Sequence, residues 1–543
     1  MIRRNKIANL ALLASIFLLV ACDNTVPSMP TPTVTLAVTA TSTEIVPSPT
    51  VPKPSATAYS PTATISPASA PSPTGEASPT QTVSAGATAS PVGRSKLAAC
   101  TPPEKGTVGL DSLGDPLYPQ LGNSGYDAQH YTLDLAVNME TDVISGSATI
   151  RALATQDLDA FNLDLEGLEV GSVAVNGQQA IVMREKGEMR IAPAAPLKAN
   201  EEFTIVVAYR GVPEGSQLEG TPVTIGWTRY DKGVYVASEP SGASTWYPVN
   251  DHPCDKATYT MRITVPDPYV VAANGLLKEM VEAGDTTTYV WESTQPMASY
   301  LVTVNIAEFT RQEQTSKAGV PVRNYFPARI ADDLDDAFAR TPDMVDYLGS
   351  IFGPYPFDAY GVVVADTDLG FALETQTLSL FGRGVATRNA EAEEVVVHEL
   401  AHQWFGDSIS LESWRDIWLN EGFATYAQWL WLEQTEGRVA YNARIDEMHQ
   451  VVKEEAPPPP GNPPADDLFN AGVYLRGGLT LHALRQQVGD AAFFNILKTY
   501  AGRYKYGNAS TNDFIALSEE VSGQKLEELF DAWLYAADMP ELR

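Results

Sequence analysis

From about Cys100 onward, apolar and polar residues alternate in short runs. Tyr131, Leu133, Leu135 and Val137 occupy every second position, as on a strand with one face buried. Phe203–Tyr209, Tyr259–Val265, Thr286–Trp291 and Tyr300–Ile306 repeat the pattern, and Asn176-Gly177 and Asn274-Gly275 supply turns. These runs predict an antiparallel β-rich domain ending near Phe309, with no internal repeat of fixed period. Beyond Thr310 the apolar spacing becomes helical. It predicts helices over Ile330–Phe352, Ala392–Phe405, Trp414–Thr435, Ala440–Lys453, Val473–Val488, Ala491–Tyr504 and Thr511–Val521, with one strand at Ala359–Ala365. Pro457 to Pro460 and Pro463-Pro464 mark a long loop ahead of Tyr474.

Before Cys100 there is no core-forming pattern. Arg3, Arg4 and Lys6 precede an apolar run from Leu10 to Val20, too short for a comfortable permanent span and suited to a leader. The run ends in Leu19-Val20-Ala21-Cys22, which resembles a bacterial lipobox. That resemblance implies cleavage before Cys22, lipidation of Cys22, and an exported protein anchored to the outer face of a bacterial cell membrane. Each buried acyl methylene contributes about 0.8 kcal/mol. From Asp23 to about Lys96 the chain is nearly all Pro, Thr, Ser, Ala and Val, and 13 of its 39 prolines fall between Asn24 and Val92. Such a stretch buries too little apolar surface to offset its ordering entropy, so it is expected to be a disordered stalk. The expected organisation is a leader over 1–22, a stalk over 23–98, a β domain over 99–309 and a mainly helical domain over 310–543.

The 543 residues are 44% apolar, enough for a substantial core in two or more domains. A net charge of −31 argues against nucleic-acid binding and against an anionic membrane surface as ligand. Apart from Cys22, the only cysteines are Cys100 and Cys254, whose pairing the sequence leaves open.

The chemistry is concentrated in His398-Glu399-Leu400-Ala401-His402, followed by Glu421 in Leu419-Asn420-Glu421-Gly422-Phe423. Histidines four residues apart on a helix project from one face and can grip one zinc ion. Glu399 is left free to act as a base, and Glu421, in a second helix-like segment, is the candidate third ligand. Three protein ligands leave one coordination position open, the arrangement of a catalytic zinc. Asp416 is a lesser candidate for orienting a ligand, though an exposed helix acid is the simpler expectation.

Three blocks together resemble the gluzincin aminopeptidases, the family of aminopeptidase N and leukotriene hydrolase. One is the zinc motif with Glu421. Another is Glu239-Pro240, followed by Trp246-Tyr247-Pro248, Asn250 to Pro253 and Asp255-Lys256-Ala257, ahead of Thr264-Val265-Pro266 and Ala273-Asn274-Gly275. The last is Val473-Tyr474 with Gly477-Gly478-Leu479. The resemblance covers roughly Tyr126 to the C-terminus. It implies an α+β protein: a saddle-shaped antiparallel β domain, then a mainly α-helical thermolysin-like catalytic domain, with the cleft between them. It also implies that His398, His402 and Glu421 hold one zinc, that Glu399 is the general base, and that Tyr474 steadies an oxyanion. Glu374, in Gly370-Phe371-Ala372-Leu373-Glu374-Thr375-Gln376, falls at the family's amine-binding carboxylate, and Glu239 at a second such position. Phe371 and Thr375 depart from the family's glycine and asparagine, which leaves the preferred N-terminal residue open. With Arg543 as its last residue, the chain resembles a form without the family's C-terminal helical-repeat domain.

The implied activity is a zinc aminopeptidase acting on peptides with a free N-terminus, since Glu374 and Glu239 would pair with an α-ammonium group near the metal. The alternatives are a zinc endopeptidase and a catalytically silent surface-binding protein of the same fold.

Overall fold

The computed structural model describes residues 108–218, 221, 223–386 and 389–542. The leader, Cys22, the stalk and Cys100 lie outside the described residues. No helix among the described residues is long and apolar enough to cross a membrane.

The first half is built on an eight-stranded sheet. At its centre lie β1 (Tyr126–Val137), β2 (Ile144–Ala154), β3 (Glu202–Gly211), β4 (Ala257–Pro266) and β5 (Thr286–Met297). Burial alternates along β4 at every residue, and Tyr131, Leu133, Leu135 and Val137 of β1 are all buried. The period-two pattern therefore marks the face turned to the core. Neighbours run antiparallel except at the middle, where β1 and β4 are parallel. A five-stranded sheet packs beside it and includes Gly233–Ala237, Val270–Ala273 and Val304–Ala307. The strand expected over Tyr300–Ile306 is shorter, because Ser299–Leu301 is a 3-10 turn. The Asn274 side chain holds that corner, donating to Leu301 O and accepting from Thr303 N.

The second half opens with strands that the helical pattern did not announce. Phe309–Thr315 and Pro321–Pro327 form a hairpin, and the latter runs parallel to Tyr360–Ala365 in a five-stranded sheet. The first hairpin strand exposes most of its polar residues, so it carries no apolar alternation to read. The expected helix Ile330–Phe352 divides into α1 (Ala331–Phe338) and α2 (Thr341–Phe352). Pro342 sits in the first turn of α2, where its missing N–H costs nothing but where it cannot continue a helix from upstream. There follow α3 (Arg383–Ala386), α4 (Asn389–His402), α5 (Trp418–Glu436), α6 (Arg438–Glu455), α7 (Gly477–Val488), α8 (Asp490–Arg503), α9 (Thr511–Ser522) and α10 (Glu527–Phe530).

Two contacts position what these helices carry. Gly422 of α5 and Gly477 of α7 meet backbone to backbone: a Cβ on Gly422 would lie 2.8 Å from the Gly477 carbonyl carbon. The two helices can come this close only because neither residue has a side chain. The other contact joins the halves of the molecule. Lys256, buried at the start of the segment leading into β4, donates to Asp407 O at 2.8 Å, Ser408 O at 3.1 Å and Gly507 O at 3.3 Å. Cys254, two residues earlier, is disulfide-bonded.

Replacing Lys256 by Met keeps the stem's length but removes three hydrogen bonds; Ser410 still donates to Asp407 O and Gly507 O, whereas Ser408 O loses its ammonium partner. A buried carbonyl left without its partner costs about 1–3 kcal/mol, so the denaturation midpoint should fall clearly; an unchanged midpoint would show that the ammonium group ties nothing together. Gly422→Ala should destabilise by about 1–3 kcal/mol, the usual cost of overpacking, and a melting temperature equal to wild type would contradict the close approach.

Candidate active site

Helix α4 has acids in its first turns and ends in the histidine pair. The rings of His398 and His402, one turn apart, lie 4.8 Å centre to centre. Glu421, in the first turn of α5 and buried, points its Oε2 at both: 3.1 Å from His398 Nε2 and 3.5 Å from His402 Nε2. Tetrahedral ligands at about 2.0–2.1 Å from zinc stand about 3.3 Å from one another. Glu421 Oε2 therefore stands from each imidazole nitrogen at the spacing zinc ligands take, all three donors lie within 4.8 Å of one another, and their N/O chemistry suits zinc. The ring orientations agree as well. Phe405 O lies 3.1 Å from His402 Nδ1 and accepts its proton, leaving the Nε2 lone pair turned to the centre. Gln428, one turn and more along α5, hydrogen-bonds to His398.

Four carboxylates share this small volume. Glu374, Glu399 and His402 present atoms within 4.8 Å of one another, as do Glu239, Glu374 and Glu421. Burial raises Glu399 and Glu239 well above the ordinary carboxylate range, and neighbouring acids push both further. Burial also takes Glu374 up to about 6, against the pull of His402. Burial acts on Glu421 in the same direction, but His402 and His398 outweigh it and bring Glu421 down to about 2. His402 is held well above the usual imidazole value: burial disfavours its charge, yet Glu421 and Glu374 overcome that. The Oε1 atoms of Glu239 and Glu374 are buried without a hydrogen-bond partner among the described residues. Acids so placed need cations. A divalent metal and a ligand ammonium group are the two that fit.

Glu374 is aimed by a loop clamped from both halves of the molecule. From the helical side, Gln403, the residue after His402, donates from Nε2 to Glu374 O at 2.9 Å and accepts from Thr377 N at 2.8 Å. From the β side, Asn274 donates to Gln376 O at 2.7 Å, and Gly275 N donates to Thr377 Oγ1 at 2.8 Å. Gly275 has φ +79° and no room for a side chain, since a Cβ would sit 2.0 Å from Glu292 O. Thr377 itself has φ +69°, a strained value for a β-branched residue that these bonds hold in place.

Tyr474 completes the group. Its ring stacks on His398 at 6.0 Å, and burial raises its phenol well above the usual value, with Glu421 adding to the effect. It rides on a π-helix, Gly472–Arg476, that leads into α7. The Gly422–Gly477 contact thus brings the Tyr474 segment against the helix bearing Glu421.

The structure brings His398, Glu399, His402, Glu421, Glu374, Glu239 and Tyr474 into one cleft. Asp416 stands apart from them. It is neither an exposed helix acid nor a support for a zinc ligand: it sits in the 3-10 turn Trp414–Asp416 and accepts from Thr511 N and Oγ1. The side chain of Phe371 belongs to the core, and Thr375 closes its own turn by donating to Leu378 O. Sequence reasoning missed Gln403 and Thr377, although Gln403 adjoins the zinc motif and Asn274-Gly275 had been noted as a turn.

Comparison with known proteins extends the same picture. Residues 127–301 match the peptidase M1 N-terminal domain, and residues 350–533 match the peptidase family M1 domain. Aminopeptidase A of Gloydius brevicauda is 26% identical over 447 residues, covering 76% of this chain and 47% of the relative. Aminopeptidase M1 of Arabidopsis thaliana is 29% identical over 325 residues, covering 54% of this chain and 36% of the relative. The chain thus spans about half the length of the curated relatives it matches. The M1 zinc metallopeptidase of Deinococcus radiodurans superposes with a TM-score of 0.74 at 33% identity, over 79% of this chain and 98% of the other. A mutant of that enzyme has been solved with a Tyr-Ser-Ala substrate bound. With both halves matched and a solved relative covered almost end to end, the chain belongs to peptidase family M1.

Proposed function

We propose that this protein is a zinc-dependent aminopeptidase that removes N-terminal residues from peptides, with one zinc per chain held by His398, His402 and Glu421. The observation that carries the proposal is the meeting of two buried, unpartnered carboxylate oxygens, on Glu239 and Glu374, with the three-ligand set. Bound zinc supplies Lewis acidity, polarising a carbonyl and lowering the pKa of a water toward about 7. The protein's own groups do the rest. Glu374 and Glu239 pair with the substrate's α-ammonium group and so set the first peptide bond, rather than an internal one, in the cleft. Glu399, buried beside His402, takes a proton from the attacking water onto its carboxylate and passes it to the leaving nitrogen. The Tyr474 phenol stays protonated and donates to the oxyanion, an interaction typically worth about 3 kcal/mol of barrier.

The names of the relatives support this reading, as does the tripeptide complex of the Deinococcus radiodurans enzyme. The cellular setting rests on the sequence alone: a lipid anchor at Cys22 and a proline-rich stalk would hold the catalytic body off the outer membrane face, where peptides reach it.

Glu399→Gln should retain zinc, measured by elemental analysis, while turnover of aminoacyl chromogens falls by a factor of about a hundred or more; ordinary turnover would remove Glu399 from the chemistry. Chelation of wild type should abolish the same turnover, reversibly on adding zinc back. Glu374→Ala should raise KM for free-amine substrates by about tenfold or more and leave N-acetylated ones unaffected. Equal losses on both would favour an endopeptidase.

A further inference from the structure

The π-helix that carries Tyr474 is held from outside the cleft. Upstream, Asn470 Oδ1 accepts from Gly472 N at 2.8 Å, while its Nδ2 donates to Asp467 O at 2.7 Å. Gly472 lies so close to the proline loop that a Cβ would sit 2.1 Å from Pro458 O. Downstream is Arg476, two residues from Tyr474 and 1% exposed. Residues two apart on a helical turn project to different sides. Tyr474 faces His398, whereas the Arg476 guanidinium reaches the C-terminal segment. Its Nε donates to Trp533 O at 2.8 Å, and its Nη2 to Ala532 O at 3.0 Å, Ala536 O at 2.7 Å and Asp538 O at 3.5 Å.

These carbonyls belong to, or directly follow, a second π-helix, Asp531–Tyr535. A cation at a helix C-terminus is favoured by the dipole and by orphaned carbonyls. The segment is in turn fixed elsewhere: Gly461 N donates to Leu534 O at 2.9 Å, and the Pro540 carbonyl accepts from His449 Nε2 at 2.7 Å. Arg476 therefore pulls on an anchor that is itself tied to the proline loop and to α6. A forked, planar side chain making four such bonds fixes the roll of the turn it grows from.

We propose that Arg476 is a positioning residue: anchored on residues 532–538, it sets the rotation of the π-turn and with it the aim of the Tyr474 phenol at the reacting carbonyl. This rests on the aminopeptidase reading, with Tyr474 as oxyanion donor. It also gives the proline loop and the C-terminal segment a catalytic consequence, although neither enters the cleft.

The test is a double-mutant cycle in the full-length zinc protein with an aminoacyl p-nitroanilide. Arg476→Lys keeps the charge but loses the fork, and should lower kcat by about tenfold or more, with KM and zinc content within about twofold. Affinity for an aminophosphonate dipeptide, a tetrahedral analogue, should weaken by a similar factor. On a Tyr474→Phe background the same change should cost less than about twofold, because the group it aims is gone. Losses of similar size in the two backgrounds would make Arg476 a purely structural cap and overturn the inference, as would an unaltered kcat in Arg476→Lys. Should Arg476→Lys fail to fold, Arg476→Gln, which removes the buried charge, carries the same comparison. A wild type inert toward every free-amine substrate would overturn the aminopeptidase reading instead.

Discussion

Negative charge packed into a closed space is the constraint on which this site depends. Glu374, Glu399 and Glu421, all buried, and the half-buried Glu239 crowd within ångströms of two imidazoles. Two bare carboxylates about 5 Å apart repel by about 3 kcal/mol at an effective dielectric of 20. Four such groups stay together only by taking up protons or by pairing with cations. The directions of their pKa values set Glu421 apart from the other three. The histidines draw Glu421 down to about 2, whereas burial leaves Glu374 near 6 and Glu239 well above the ordinary carboxylate range. On both, one carboxylate oxygen is buried without a hydrogen-bond partner among the described residues.

Because the acids repel, the frame that holds them has to be stiff, and the stiffness comes from backbone rather than from bulk. Gly422 against Gly477 lets two helices touch main chain to main chain. Gln403 and Asn274 hold the Glu374 loop by its carbonyl and amide groups, so the carboxylate itself is left free for a ligand. Lys256 secures the β half by three further carbonyls, two in the turn after the histidine helix and one at Gly507. In the last two cases a side chain from one element satisfies the main chain of another. Such bonds fix position without spending the functional groups.

Much of this was legible in the sequence where periodicity or motif spacing encodes geometry. Alternation marked β1 and β4, and the four-residue histidine spacing put both rings on one helix face. The hairpin Phe309–Thr315 with Pro321–Pro327 was not legible, because its outer strand is polar and exposed and its inner strand is buried almost throughout, leaving no period to detect. The break at Thr341-Pro342 was visible as a proline but was absorbed into a longer helical pattern. Asp416 was misread because an acid near a helix start looks exposed until the hydroxyl it binds, on Thr511, is brought in from 95 residues away. Gln403 was passed over for a related reason. A glutamine has no preferred chemistry, and its value lies entirely in the two main-chain groups that the fold sets opposite its amide.

The same logic explains why the motifs extend beyond the reacting residues. Gly422 follows Glu421 directly, and Gly477 follows Tyr474 by three, so each functional residue is written next to the glycine that lets its helix approach the other. The segment from Glu239 to Ala257, which resembles a signature of the family's N-terminal domain, likewise acts near its two ends. Glu239 enters the cleft, while Lys256 grips the turn after His402. A displacement of the β half would therefore move Glu239 relative to the metal ligands, and the Glu374 loop with it, through Asn274 and Gly275. The distance between Glu239 and the histidine pair is thus set by the packing of two halves, not by either alone. That distance is what would separate cleavage at a free N-terminus from cleavage within a chain.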